Sequence, residues 1–208
     1  MDNPVSATRL SIFPLSGVIL YPGLRLPLHI FEPRYRAMVS DALIRDRRIA
    51  MIQPQAAAEG APLFSVGCVG RIGDVETMED GRFNIVLEGE HRFRVLRELD
   101  VNTPFRQVEA ELIDDPEEEA LSSVERAGFE QAARDFADLQ GYSVDWDSVS
   151  RLDDVSLING VSQIAPFDAA AKQALLEASD LSDRCELLVQ LMQFFGRHPG
   201  DDDHVTLQ

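Results

Sequence analysis

Lysine is almost missing from this chain of 208 residues: Lys172 is the only one, beside 18 arginines. A Walker A loop needs Gly-Lys-Ser/Thr to cradle phosphates. Lys172 stands instead in Ala170-Ala171-Lys172-Gln173, so the sequence carries no P-loop. A Ser–Lys hydrolase or a Schiff-base enzyme would have to use the same residue, which has no Gly-rich nucleophile turn beside it. Long apolar runs are missing too. The longest, such as Val18–Tyr21, are four residues, far short of the roughly 20 that span a bilayer as a helix. Met1-Asp2-Asn3-Pro4 lacks a basic n-region and no apolar h-region follows it, so no signal peptide is expected. Cysteine is limited to Cys68 and Cys185, too few for a disulfide framework. Two buried free thiols and a cytoplasmic location are the expectation. Basic charge is scarce: 19 basic against 36 acidic residues leave a net of −17, which disfavours non-specific contact with a phosphate backbone.

What is present suffices for a core. The chain is 45% hydrophobic, and a chain of this length buries roughly 70% of its unfolded surface, as one large domain or two small lobes. The first half reads as strands with one inserted helix. Leu10–Phe13, Val18–Tyr21, Leu26–Phe31, Ile49–Gln53, Val66–Val75, Phe83–Leu87, Arg92–Leu96 and Phe105–Ile113 are strand candidates. Pro27 demotes its strand to an edge, and Gly67, Gly70 and Gly73 point to bulges or close backbone approach. Asp80-Gly81 is a hairpin turn, and Gly89 is expected to break the chain between two strands. Pro33 suits the first position of a helix, and Tyr35, Met38, Val39, Ala42 and Leu43 then recur at helical spacing.

The acidic run Asp114–Glu119 marks a boundary, beyond which the pattern turns helical. Helices are expected over 121–139, ended by Gly141, and over 153–165, 168–178 and 182–195. The expected division is a β-rich lobe at 1–115, a helical lobe at 116–197 and an acidic flexible tail at 198–208. Charge follows it: 1–115 carry a net of −4 and 116–208 a net of −13. The fold class expected is α+β, and no internal repeat is found.

Two stretches then stand out: Phe13-Pro14-Leu15-Ser16-Gly17-Val18-Ile19-Leu20-Tyr21-Pro22-Gly23, and Leu26-Pro27-Leu28-His29-Ile30-Phe31-Glu32-Pro33-Arg34-Tyr35-Arg36. Together they resemble the opening of the Lon protease N-terminal domain. Gly67–Ile72, Gly89–Val95 and Lys172–Ala178 with Asp180, Leu181 and Arg184 are similar to the same family, so the likeness runs from about residue 8 to 196. The resemblance implies a β-rich pseudo-barrel lobe, PUA-like, followed by a helical lobe. It also implies a free-standing substrate-binding domain, without the ATPase and Ser–Lys peptidase modules of full-length Lon proteases.

Each candidate site has a plainer reading beside it. His29 and Glu32 flank the strand-to-helix corner, but Pro33 starts the helix after both, which is poor metal geometry. His91, His198 and His204 have no partner at ligand spacing, so no metal and no cofactor are expected. Arg34, Arg36, Arg92, Arg94 and Arg97 form a basic strip in sequence, yet Glu32, Glu88, Glu90 and Glu98 are interleaved, and internal ion pairing is the preferred reading, with Glu32–Arg36 a candidate i, i+4 pair. Ser16, Ser40 and Ser65 lie in no nucleophile elbow, and Cys68 reads as a packed thiol, so no catalysis is expected.

Peptide capture remains. An extended segment can add to an exposed strand edge, with Phe31, Tyr35, Ile72 and Phe93 lining a groove and Arg36 or Arg92 holding a carboxylate. His29, Glu32 and Gly70 complete the candidate set. Taken singly, each of the four apolar residues reads better as ordinary core. The expected function is therefore a non-catalytic module binding unfolded or partner polypeptide, with no nucleic-acid or membrane partner. A weak homodimer through an unpaired β edge is the oligomeric alternative, and a PUA-like module binding RNA or a small ligand the functional one.

Overall fold

The computed structural model describes residues 7–114 and 120–197. In chain order it contains β1 (Ala7–Pro14), β2 (Arg25–Ile30), α1 (Pro33–Ile44), β3 (Arg48–Ile52), β4 (Val66–Thr77), β5 (Phe83–Leu99) and β6 (Gln107–Leu112). Then follow α2 (Ser123–Gln140), α3 (Trp146–Val149), α4 (Asp154–Ile164), α5 (Ala169–Glu177) and α6 (Leu181–Arg197). The architecture is α+β, as the sequence implies. Of the boundary expected at 114–119 all but residue 114, and the whole of the tail expected at 198–208, fall outside the described residues. By packing, the chain forms two units: Met1–Glu117 with Asp168–Glu177, and Glu118–Phe167 with Ala178–Gln208.

The strands of the first unit form one sheet in the order β2-β5-β4-β3-β1-β6, and β6 also pairs with β5. The second pairing closes β5, β4, β3, β1 and β6 into a ring, with β2 attached outside it to the first half of β5. Only β1 and β3 run parallel, Ile12 opposite Ala50; the other pairs are antiparallel. Strand alternation sorts the apolar side chains into two layers. Leu10, Ile12, Ala50, Ile52, Val69, Phe93, Val108 and Ala110, drawn from all five ring strands, fill one cluster. Phe13, Met51 and Cys68, of opposite parity to their strand neighbours in that cluster, pack with Tyr35, Met38, Val39 and Ala42 of α1. Ile85 and Leu87 join them although they share the parity of Phe93, because the register shift at Gly89–His91 turns β5 over.

Two sequence expectations change here. Val18–Tyr21 is not a strand; it is a loop with Ile19, Leu20 and Tyr21 buried, bracketed by Gly17 and Gly23 at positive φ. Gly89 does not break β5 but lets it pass close to that loop. A Cβ at Gly89 would lie 2.0 Å from the Tyr21 carbonyl oxygen, and the Gly89 N–H donates to the Leu24 carbonyl at 2.8 Å while its own carbonyl accepts from Gly23 at 2.9 Å. The bulges do occur where the glycines predict them, with register shifts between Val69 and Gly70 and between Ile72 and Val75.

Helix α5 packs with the strands, although the sequence groups it with the other helices. The buried amide of Gln53 explains why. Its Oε1 accepts from Gly17 N–H at 2.8 Å, and its Nε2 donates to the Ala169 carbonyl at 2.9 Å and to Gln173 Oε1 at 3.1 Å. Gln173 donates in turn to the Val66 carbonyl, and Leu176 joins Ile19, Tyr21 and Val66 in an apolar cluster.

The second unit comprises α2, α3, α4 and α6. Ser122 caps α2 in a reciprocal box with Glu125, and Gly141 at φ 71° ends the helix. Arg126 of α2 reaches Asp154 at the start of α4, at 2.6 Å. The buried Arg184 of α6 donates to Asn159 of α4 at 2.9 Å. Phe136, Phe167 and Phe195 stack with ring centroids 6.0 and 5.2 Å apart. Both cysteines, one in each unit, are buried, and neither is in a disulfide. No helix among the described residues is long and apolar enough to cross a membrane.

Candidate functional site

Alternation along β2 turns Leu26, Leu28 and Ile30 toward α1 and leaves Arg25, Pro27 and His29 outward. Three cross-strand rows result on the outer face. Arg25 lies opposite Glu88, and Glu88 opposite Arg71. Arg71 pairs with that carboxylate at 2.6 Å, and Arg25 pairs with Asp74. At the other end His29 lies opposite Asn84, and Asn84 opposite Glu76. His29 Nδ1 and Asn84 Oδ1 are 2.7 Å apart, and Asn84 Nδ2 donates to Glu76 at 2.8 Å. Between these polar rows Pro27 faces Val86. An open cavity of about 530 Å³ lies over this patch, lined also by Val75 and Asp74. Val75 is 39% exposed, and Phe31, stacked on His29 with centroids 6.1 Å apart, is 60% exposed. The face is thus an apolar strip in a polar frame, whose arginines are paired with Asp74 and Glu88 and whose Glu76 carboxylate is held by the neutral Asn84 amide.

Of the nine residues singled out from the sequence, His29 and Phe31 stand on this face or at its end. Glu32 and Arg36 are half-buried at the start of α1. Glu32 accepts from Arg34 Nε at 3.0 Å, so its partner is Arg34 and not the expected Arg36. Arg36 lies against the β4–β5 turn, its guanidinium filling the space a Cβ on Gly81 would need.

The other five are interior. Tyr35 packs on Phe13 at 4.2 Å, and burial pushes its hydroxyl above the usual tyrosine range. Ile72 and Phe93 have no exposed surface, which leaves nothing for a peptide to touch. Gly70 sits at a bulge under Leu20. Arg92 is buried and donates to the Leu176 carbonyl at 2.7 Å, so it holds α5 and offers no free charge to a carboxylate. The basic strip is likewise dispersed: Arg34 also pairs with Glu59 at 2.8 Å and Arg97 with Glu109 at 2.6 Å, while Arg94 lies opposite Glu111. Val75, Asn84 and Val86 are not among the residues singled out from the sequence, which marks Pro27 as an edge residue and not as part of a site, although the parity of β2 is the signal that could have placed it on this face.

The family model for the ATP-dependent protease La (LON) substrate-binding domain matches residues 9–193. The chain belongs to this family. Lon protease of Escherichia coli (strain K12) is 27% identical over 202 residues, covering 92% of this chain and 26% of the relative. Lon protease 2 of Myxococcus xanthus is 28% identical over 196 residues, covering 88% and 23%. The chain therefore spans about a quarter of the length of the curated relatives it matches. Among solved structures, the Lon N-terminal domain protein of Xanthomonas campestris superposes with a TM-score of 0.68 at 22% identity, covering 88% of this chain and 98% of that one. The N-terminal domain of the Mycobacterium avium complex Lon protease gives 0.67 at 21% identity, covering 89% and 98%. These likenesses establish the Lon N-terminal fold, and the matched region is by its family the substrate-binding part.

Proposed function

We propose that this chain is a non-catalytic module that captures polypeptide segments, and that the outer face of β2, β5 and β4 receives them. The family match to a substrate-binding domain over 9–193 carries this reading. The face supports it: an apolar strip of Pro27, Val86 and Val75 leads to an exposed Phe31. The arginines of its frame are paired internally and Glu76 is hydrogen-bonded to Asn84, so an apolar segment can lie along Pro27, Val86 and Val75 without stripping water from an unpaired cation. Docking is through side chains on the face more than by strand addition to the β2 edge. Pro27 has no N–H, which weakens pairing there with an added strand or a second copy. The role is recruitment: a captured segment is presented to whatever acts on it.

Phe31 is the anchor. Covering about 40 Å² of its exposed ring contributes about 1 kcal/mol at roughly 25 cal/mol per Å² of apolar surface, so Phe31→Ala should weaken binding about fivefold. The test is amide shift mapping with an apolar ten-residue peptide at low and high salt. Perturbation at His29, Val75, Asn84 and Val86, little changed by salt and reduced in Phe31→Ala, is expected. Perturbations confined to other surfaces would refute this placement, and absence of binding at either salt would refute general capture.

A further inference from the structure

The helical unit holds a second cavity that the β2–β5–β4 face does not involve. It encloses about 350 Å³ between α2, α3, α4 and α6, walled by Phe129, Phe136, Trp146, Val161 and Ile164 with Tyr142 at its margin. Its size is near the lower end of small-ligand sites, roughly 300–1,000 Å³. Its walls are almost wholly apolar, yet it is not sealed: Ile164 is 78% exposed and Tyr142 50%. Large apolar side chains left in water at the mouth of an apolar cavity mark a surface that a partner covers.

Charge selects the partner. The described residues of the unit carry 11 acidic side chains against five basic, a net of −6. Locally, Trp146 stands between Asp145 and Asp147, and Asp153 lies one turn before Leu157 on the α4 stripe that lines the cavity. Asp145 and Asp153 accept hydrogen bonds from the Ser148 and Ser156 N–H groups as helix caps, which favours their ionised forms. Against them stand Arg151 and Arg134, the latter spread over the Trp146 ring at 4.4 Å. We propose that this cavity is a second docking site, taking a large apolar side chain from a polypeptide segment whose neighbours are lysines or arginines. Such a segment seats its apolar residue among the phenylalanines while its cations meet the aspartates at the rim, and an acidic segment of equal hydropathy is repelled.

Trp146 is the chain's only tryptophan and lines the cavity, so its emission reports occupancy directly. The full chain is titrated with two synthetic peptides sharing a Leu-Phe-Leu centre, one flanked by Lys-Arg pairs and the other by Asp-Glu pairs. The basic peptide should blue-shift and saturate the emission and protect it from acrylamide. The acidic one should bind roughly tenfold more weakly at low salt, the gap closing as salt screens the rim. Ala133→Leu, which fills the cavity, should weaken the response at least about fivefold. So should Ile164→Glu, an exposed position where folding is not at stake. Phe31→Ala should leave it unchanged, which separates this site from the β-sheet face. Equal response to both peptides, response to an uncharged lipophile alone, no response, or full response in Ile164→Glu would each overturn the proposal.

Discussion

Gly89→Ala and Gly128→Ala make the same chemical change and should have opposite effects. At Gly89 the added methyl would lie 2.0 Å from the Tyr21 carbonyl oxygen and 2.7 Å from its carbonyl carbon. Both are backbone atoms, so no side-chain rotation relieves the clash. Relief requires the Tyr21–Leu24 loop to lift from β5, which strains or breaks the two backbone bonds that Gly89 makes to Gly23 and Leu24. Overpacking costs about 1–3 kcal/mol, and each of the two weakened bonds adds roughly 0.5–1.5 kcal/mol, so Gly89→Ala should lose about 2–6 kcal/mol. At Gly128, on the exposed side of α2, nothing lies within 4 Å of the added methyl. There alanine should gain about 0.5–1 kcal/mol from helix propensity and a less disordered unfolded chain. Urea unfolding followed by far-UV circular dichroism measures both, and hydrogen exchange at the β2 and β5 amides reports the local effect. A Gly89→Ala protein within about 0.5 kcal/mol of wild type would refute the close-approach argument. Because the Tyr21–Leu24 loop delivers the chain to Arg25, this variant should also disturb the face on which capture is proposed.

Replacing Gln53 by Leu orphans the half-buried Gly17 N–H and Ala169 carbonyl, each toward the lower end of roughly 1–3 kcal/mol. It should therefore cost about 2–4 kcal/mol in urea unfolding, and a near-neutral result would mean that α5 is not held by this amide. The capping box holds the Glu125 carboxyl at about 2, below its ordinary 4.5, chiefly through its hydrogen bond with Ser122. A depressed carboxyl stabilises the fold above the unfolded value and loses that effect as pH falls through the folded one. The thermal advantage of wild type over Glu125→Gln should accordingly shrink between pH 5 and pH 2, and an advantage constant across that window would contradict the assignment. Burial pushes the Cys185 thiol up to about 11, so iodoacetamide at pH 8 should modify it only after denaturation; rapid native alkylation would show a different environment.

Local chemistry was the legible part of this molecule. Pro33 opens α1, Gly141 closes α2, the Asp80-Gly81 turn joins β4 to β5, and Pro27 lies on an edge strand, each for the reason read from the residue itself. Long-range pairing was not legible. Closure of the ring depends on β6, paired locally with the preceding β5, also finding β1 across most of the first unit, and α5 joins the strands through a buried glutamine whose partners on that helix are over 100 positions away. Gly89 read as a break because glycine in a strand signals either a bend or a close neighbour, and only the position of the Tyr21 carbonyl decides which. The candidate site divided along the same line. Apolar residues near a proposed groove look alike in sequence, whereas the two-residue strand period put Ile72 and Phe93 inside and left Pro27, His29 and Val86 out.

Capture of unfolded polypeptide without chemistry is the function proposed for this chain. The most direct measurement is fluorescence anisotropy of one labelled polypeptide, presented to the full chain in its unfolded and then in its native form, with the polypeptide examined for cleavage afterwards. Saturable binding of the unfolded form alone, weakened about fivefold by Phe31→Ala and leaving the polypeptide intact, is the predicted result. Equal binding of both forms, no binding of either, or a shortened polypeptide would contradict it.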